Sequence, residues 1–234
     1  MHGGETLSSW TCEGIVKFLL GNSETAETLR KKFVFHIIPM MNPDGCINGF
    51  SRSDILGCDL NVQYNDPSLR RHPSVFYLRE LIQHVQEKYS IISCIDLHGQ
   101  AQKDGAFLYG VIPNKTEIEL HAEKIKHIRS LNEAYSSALE VRRNWQQHQQ
   151  QEHAKRNHLD PRVFFLQVAR RSDILVLRNC SLSVGARKTG TLRAVAAKQF
   201  FVPISISVQI SCFRRRPVAG KSITTQFIST DHAK

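Results

Sequence analysis

The sequence predicts an α/β layered domain with a largely parallel sheet. Short β-rich apolar runs recur at Phe33–Ile38, Ile91–Leu97 and Ala106–Val111. Stretches with apolar residues at helical spacing lie before and between them. A late segment, Val202 to Cys212, alternates apolar and polar residues with period two, the pattern of a half-buried strand. Hydrophobic residues make up 41% and charged residues 22% of the 234, which excludes a disordered or fibrous chain.

Each element has a local reason. Ser8 or Ser9 is placed to cap a helix running to about Leu20, with Ile15, Val16, Leu19 and Leu20 on its apolar side. Gly21 and Asn22 stop it, and a second short helix fits Glu24–Lys32. Phe33–Ile38 reads as a buried strand ended by Pro39. Asn42–Gly45 (NPDG) is a turn signal, and Gly49 to Pro67 reads mostly as loop. Pro73 starts a helix to Lys88, with Val75, Leu78, Leu81, Ile82 and Val85 at helical spacing. Ile91–Leu97 and Ala106–Val111 follow as buried strands. Glu117–Arg143 looks helical, and Gln146–His153 is a Gln/His-biased stretch, an exposed helix extension or a disordered insert. Order returns near Pro161. On the late strand Gln209 shares the serine-bearing face. Beyond Arg214–Arg216 the tail carries no helix or strand signal.

Composition narrows the function classes. No run approaches the ~20 apolar residues of a membrane span. No basic segment leads into an apolar core, which argues against a secretory signal. The six cysteines lack CxxC pairing and read as free thiols of a reducing compartment. The net charge is +10, and it is uneven: from Glu140 onward there are 17 basic and 5 acidic residues. A basic half implies an acidic partner. Nucleic acid is disfavoured, because the basic residues are scattered and no RNA-binding aromatic motif, zinc finger or helix-turn-helix pattern is present.

Several residues have the chemistry of a site. His2 and Glu5 place an imidazole and a carboxylate three residues apart, both acceptable to zinc, although the pair alone equally fits a solvated chain end. His98, at the end of a predicted strand, is the best third ligand, or else a hydrogen-bonded strand-end histidine. Asp96 has the chemistry to orient an imidazole, although neighbours on a strand alternate faces. Arg52 and Asn61 can donate to a carboxylate or serve as ordinary loop polarity. In the His-rich segment (His148, His153, His158), His148 and His153 are five apart, a poor match to one helical face for a metal site.

The segments His2-Gly-Gly-Glu5-Thr-Leu-Ser-Ser-Trp10, Ile38-Pro-Met-Met-Asn-Pro-Asp-Gly45, Gly57-Cys-Asp-Leu-Asn61, Asp96-Leu-His-Gly99 and Phe107-Leu-Tyr-Gly110 stand in this order. Together they resemble the zinc metallocarboxypeptidases, and among them the cytosolic carboxypeptidases. The likeness is dense over residues 2–111 and resumes weakly from Arg162 to Cys212, including Lys188-Thr-Gly-Thr191. It implies an α/β fold with a mixed, mainly parallel sheet flanked by helices. It implies zinc held by His2, Glu5 and His98, with Arg52 and Asn61 holding the terminal carboxylate of a peptide. It implies a cytoplasmic enzyme that removes glutamates from acidic or polyglutamylated protein tails such as tubulin. On this reading residues 1–112 are the core of the domain, 113–160 a helical Gln/His-rich insert, 161–213 the end of the domain, and 214–234 a basic tail.

The chain departs from the family in three places. The family pattern has Asn-Arg where this chain has Asn61-Val62, so one anion-binding group is missing. Aligning the late strand places Gln209 where the family has the glutamate that takes a proton from the metal's water. No glutamate follows Glu152 in the chain, so that late strand has none to offer in any register. Finally, His2 follows the first residue directly, where the family has further strands, so the domain reads as truncated on its N-terminal side. Weak or absent hydrolysis is expected, with the alternative of an inactive zinc-binding relative that acts as a peptide-binding or scaffolding module.

Overall fold

The computed structural model describes residues 1–112 and 161–211. Helices α1 (Thr6–Leu20), α2 (Glu24–Lys32), α3 (Pro43–Ile47) and α4 (Pro73–Lys88) precede strands β1 (Ser93–Gln100) and β2 (Ala106–Gly110). Then come α5 (Pro161–Arg171), α6 (Leu192–Lys198) and β3 (Ile204–Ser211). The expected helices at 117–143 and in the Gln/His stretch, the whole of 113–160, and the tail 214–234 lie outside the described residues.

The late strand is the centre of the sheet. The order is β1-β3-β2, with β1 parallel and β2 antiparallel to β3. This is the mixed sheet the family resemblance implies. β3 is paired along both edges, and both of its faces are covered as well. On one face Ile204 and Ile206 join Ala106 and Leu108 against Phe165 of α5. On the other, Leu192, Val195 and Ala196 of α6 pack with Val75 and Ile82 of α4 and with Leu60 and Tyr64. The serine-bearing face of β3 is therefore not solvated as period two predicts. Ser205 and Ser207 are fully covered, and the Ser205 hydroxyl donates to the Arg193 carbonyl at 2.8 Å. Small side chains there let α6 lie close to the sheet.

Three local expectations are corrected. Phe33–Ile38 follows α2 with Phe33 extended, but it pairs with no strand among the described residues, and its apolar side chains are exposed, Val34 by 68%. β-propensity needs a hydrogen-bonded neighbour to become a strand. The NPDG segment opens helix α3: Asn42 is its N-cap, accepting from Gly45 N at 2.9 Å, and Pro43 takes the first helical position. Ser8 lies inside α1 rather than capping it, and its hydroxyl donates back to the Glu5 carbonyl. The cap is Glu5, whose side chain is engaged elsewhere. By contrast α2 keeps its expected bounds, with Ser23 accepting from Ala26 N and acidic residues in its first turn.

The loop carrying Asn61 is locked to the turn before α6 by close backbone approach. Tyr64 N donates to Gly190 O at 3.0 Å, and a Cβ built on Gly190 would fall 2.3 Å from the Val62 carbonyl oxygen. Gly190→Ala is expected to lower unfolding stability by about 1–3 kcal/mol in urea titration. Gly185→Ala, with nothing within 4 Å of its Cβ, should stay within about 0.5 kcal/mol of the parent.

Candidate metal centre

Three turns of loop converge on the start of α1. Gly3 and Gly4 let the chain lie against a neighbouring loop: added Cβ atoms would meet Phe50 O at 2.6 Å and Ser51 Cα at 2.9 Å. Gly4 N donates to Ser51 O at 2.9 Å. That second loop is held in turn by Asn42, whose amide donates to Ser53 O. Asp54 accepts from Leu56 N and Cys58 N, closing a turn through Gly57 at φ +75° and delivering Asp59. Strand β1 supplies Asp96 and His98, two apart and so on one face.

The result is a chain of carboxylates and imidazoles. His2 Nδ1 lies 2.6 Å from Glu5 Oε1, and His98 Nδ1 lies 2.9 Å from Glu5 Oε2. The far nitrogens are braced by other carboxylates: His2 Nε2 by Asp59 at 2.9 Å and His98 Nε2 by Asp96 at 2.6 Å. Gly99 N also donates to Glu5 Oε2 at 3.1 Å, and a Cβ at Gly99 would crowd Glu5 at 3.2 Å. Both imidazoles are buried.

These contacts set the electrostatics. Burial pushes the Glu5 carboxyl up, but the hydrogen bonds and charges of His2 and His98 outweigh it and bring its pKa down to about 2. Asp59 is likewise raised by burial and then held well below the carboxylate range by His2 and Arg52. For His98, burial favours the neutral ring, while Asp96 and Glu5 outweigh burial and raise the pKa to about 9.

A metal fits this donor set. His2, Glu5 and His98 each offer one ligand atom, and the three lie within 4.8 Å of one another. Two imidazoles and a carboxylate make a zinc set that leaves a coordination position open. Bracing of each Nε2 by an aspartate directs each Nδ1 toward Glu5.

The other expected residues fall at different distances from this cluster. Arg52 donates Nε and Nη2 to Asp59 Oδ2 at 2.9 and 2.7 Å. It borders a shallow cavity of about 490 Å³ lined also by Phe50, Ser51, Ser53 and Asp59. Asn61 is buried, its backbone N bonded to Asp59, and its Oδ1 has no partner among the described residues. Gln209 is the register partner of His98 across the β1–β3 ladder and so shares its face. Asp59 is the residue that sequence reasoning passed over. It stood in the quoted Gly57–Asn61 segment as a carboxylate two residues before Asn61, but its bond to His2 spans 57 positions.

The site thus joins a mixed sheet, through His98 on β1, to a His/Glu pair at the start of α1. The zinc carboxypeptidase family profile matches residues 1–216, and the chain belongs to that family. Among curated proteins it is similar to cytosolic carboxypeptidase 3 of Bos taurus, 44% identical over 110 residues, covering 47% of this chain and 11% of the relative. Cytosolic carboxypeptidase 1 of Xenopus laevis is 40% identical over 112 residues, covering 47% and 9%. Among solved structures, a metallo-carboxypeptidase from Burkholderia cenocepacia superposes with TM-score 0.58 at 23% identity, over 90% of this chain and 45% of that one. A carboxypeptidase A-like protein from Shewanella denitrificans gives 0.61 at 22%, over 90% and 46%. The structural likeness shows the fold. The chain spans less than half of these structures and about a tenth of the curated relatives. Among the described residues no helix is long and apolar enough to cross a membrane.

The pKa shifts fix how the metal-free protein responds to pH. His98 is raised on folding, so its contribution is complete below about 6.5 and is lost as pH rises through about 9. Glu5 is lowered, so its contribution is present above about 4.5 and is lost as pH falls toward 2. Urea midpoints of chelator-treated protein should peak between these windows and decline toward pH 9. A decline of equal size in His98→Asn would contradict this assignment.

Proposed function

We propose that this chain is a zinc carboxypeptidase-like domain that binds the metal and an acidic peptide end but hydrolyses weakly or not at all. His2, Glu5 and His98 hold the metal. The observation that carries this is their convergence within 4.8 Å, each imidazole braced from behind by an aspartate. When bound, zinc supplies Lewis-acid polarisation of a carbonyl and an acidified water. Membership of the family supports the metal's identity.

The chain's own residues divide the remaining work. Arg52 receives the terminal carboxylate of the peptide through a charge-assisted bond, and Asn61 contributes its amide. Val62 cannot pair with an anion, so this anchor is weaker than one with two arginines, by roughly 1.5–3 kcal/mol for one such bond. Gln209 sits beside His98 in register, where a proton acceptor would serve. An amide does not take a proton at neutral pH, and loss of general-base help costs typically ~10²–10⁴-fold in rate. These two residues favour the second reading, a peptide-binding module without turnover.

The substrate or ligand class is an acidic protein tail, glutamylated tubulin being the example, in the cytoplasm. The relatives' names support the cytoplasm and a peptide C-terminus, and the excess of basic residues after Glu140 suits an acidic one. In this reading residues 1–112 and 161–213 form the domain, 113–160 an insert and 214–234 a basic tail.

Elemental analysis of the purified protein should find one zinc per chain, lost in His98→Ala. Glutamate release from a C-terminal glutamyl peptide should be at or near background. Gln209→Glu combined with Val62→Arg should raise it by at least ~10²-fold, abolished by a chelator. A folded, zinc-loaded double variant that stays inert would exclude the role given to Gln209.

A further inference from the structure

Asp59 serves two partners of different kinds. Its Oδ1 faces His2 Nε2 at 2.9 Å and Asn61 N at 3.1 Å. Its Oδ2 accepts from Arg52 Nε at 2.9 Å and Nη2 at 2.7 Å. One negative charge is thus divided between a metal-ligand imidazole and the arginine of the peptide anchor. The other brace is shared less closely: Asp96 holds His98, and among the described residues the charge of Arg193 reaches it without forming an ion pair.

We propose that Asp59 is a positioning residue through which metal occupancy and carboxylate binding strengthen each other. The proposal rests on the metal reading given above and deepens it. A cation on His2 Nδ1 polarises the ring and strengthens Nε2–H as a donor, drawing Asp59 toward His2. Arg52 is then held less tightly by Asp59 and is freer to take a peptide carboxylate. A carboxylate on Arg52 does the converse: it satisfies the guanidinium and releases Asp59 to brace His2, which makes the imidazole a better ligand. Linkage requires the two effects to be equal in free energy. Arg52 lies half exposed beside the cavity, where an incoming carboxylate can reach it, whereas His2 is buried and reaches the anchor through Asp59.

Removing Arg52 imitates the ligand's effect on Asp59, so the sign of the change is diagnostic. Zinc dissociation constants would be measured by competition with a chromophoric chelator for the full chain and for R52Q, D59N and R52Q/D59N. R52Q should bind zinc about fivefold more tightly, the low end of coupling between sites. D59N should bind about 10–100-fold more weakly. In the double variant the gain from R52Q should vanish, leaving the affinity of D59N. Zinc affinity unchanged or weakened in R52Q overturns the proposal. So does the same gain in the D59N background, which would mean plain repulsion between arginine and metal. Should D59N fail to fold, a saturating C-terminal glutamyl peptide should tighten zinc binding in the parent and not in R52Q, and no tightening in the parent overturns the proposal. If the parent chain takes up no zinc, the metal reading and this proposal fall together. If it loads zinc and R52Q does not tighten binding, only this proposal falls.

Discussion

The site depends on one carboxylate standing between two imidazoles. Glu5 joins the beginning of the chain to β1, because its two oxygens face His2 and His98 and the second also accepts from Gly99 N. Burying that carboxylate is costly unless it is paired and hydrogen-bonded. Everything around it meets that condition. Two glycines let the first turn of chain lie against the 50–53 loop, Asn42 pins that loop, and Asp54 closes the next one to bring Asp59 behind His2. Of the donors for a cation, His98 comes from β1 and Glu5 from the cap of α1, while the loops behind them are fixed by the Asn42 and Asp54 side chains bonding to backbone groups.

The layers beneath serve the same end. β3 pairs on both sides, and α5 and α6 cover its two faces, so β1 is presented with a defined register and a defined face. Asp96 and His98 share that face because they are two residues apart, and Gln209 shares it because it is paired with His98. An acceptor, an amide or an alkyl group at that register would each meet the same neighbours with a different proton inventory.

What was legible in the sequence follows from how local each cause is. Helix α2 carries its own cap, Ser23, and its own charge gradient, and α4 carries Pro73 at its start. β1 and β2 could be read from apolar runs, and β3 from its alternation. Phe33–Ile38 has the composition of a strand, but a strand is completed by a neighbour, which the run itself does not specify. NPDG was misread because asparagine before proline can open a turn or a helix, and contacts with Ser53 O and Gly45 N select the helix. The burial of Ser205 and Ser207 was not legible, since it comes from α6 lying over the face that alternation marks as polar. For the site, the family wording named His2, Glu5 and His98 before any geometry. Asp59 escaped notice because its significance exists only once a remote loop has folded back.

The register of Gln209 also determines what a folded state can and cannot protect. A strand ladder is built from backbone groups, so the β1–β3 pairing itself does not distinguish glutamine from glutamate at this half-exposed position. Selection that acts only on keeping the protein intact is therefore blind to the exchange. An exchange at this register can therefore alter which protons the buried face holds while the architecture stays as it is.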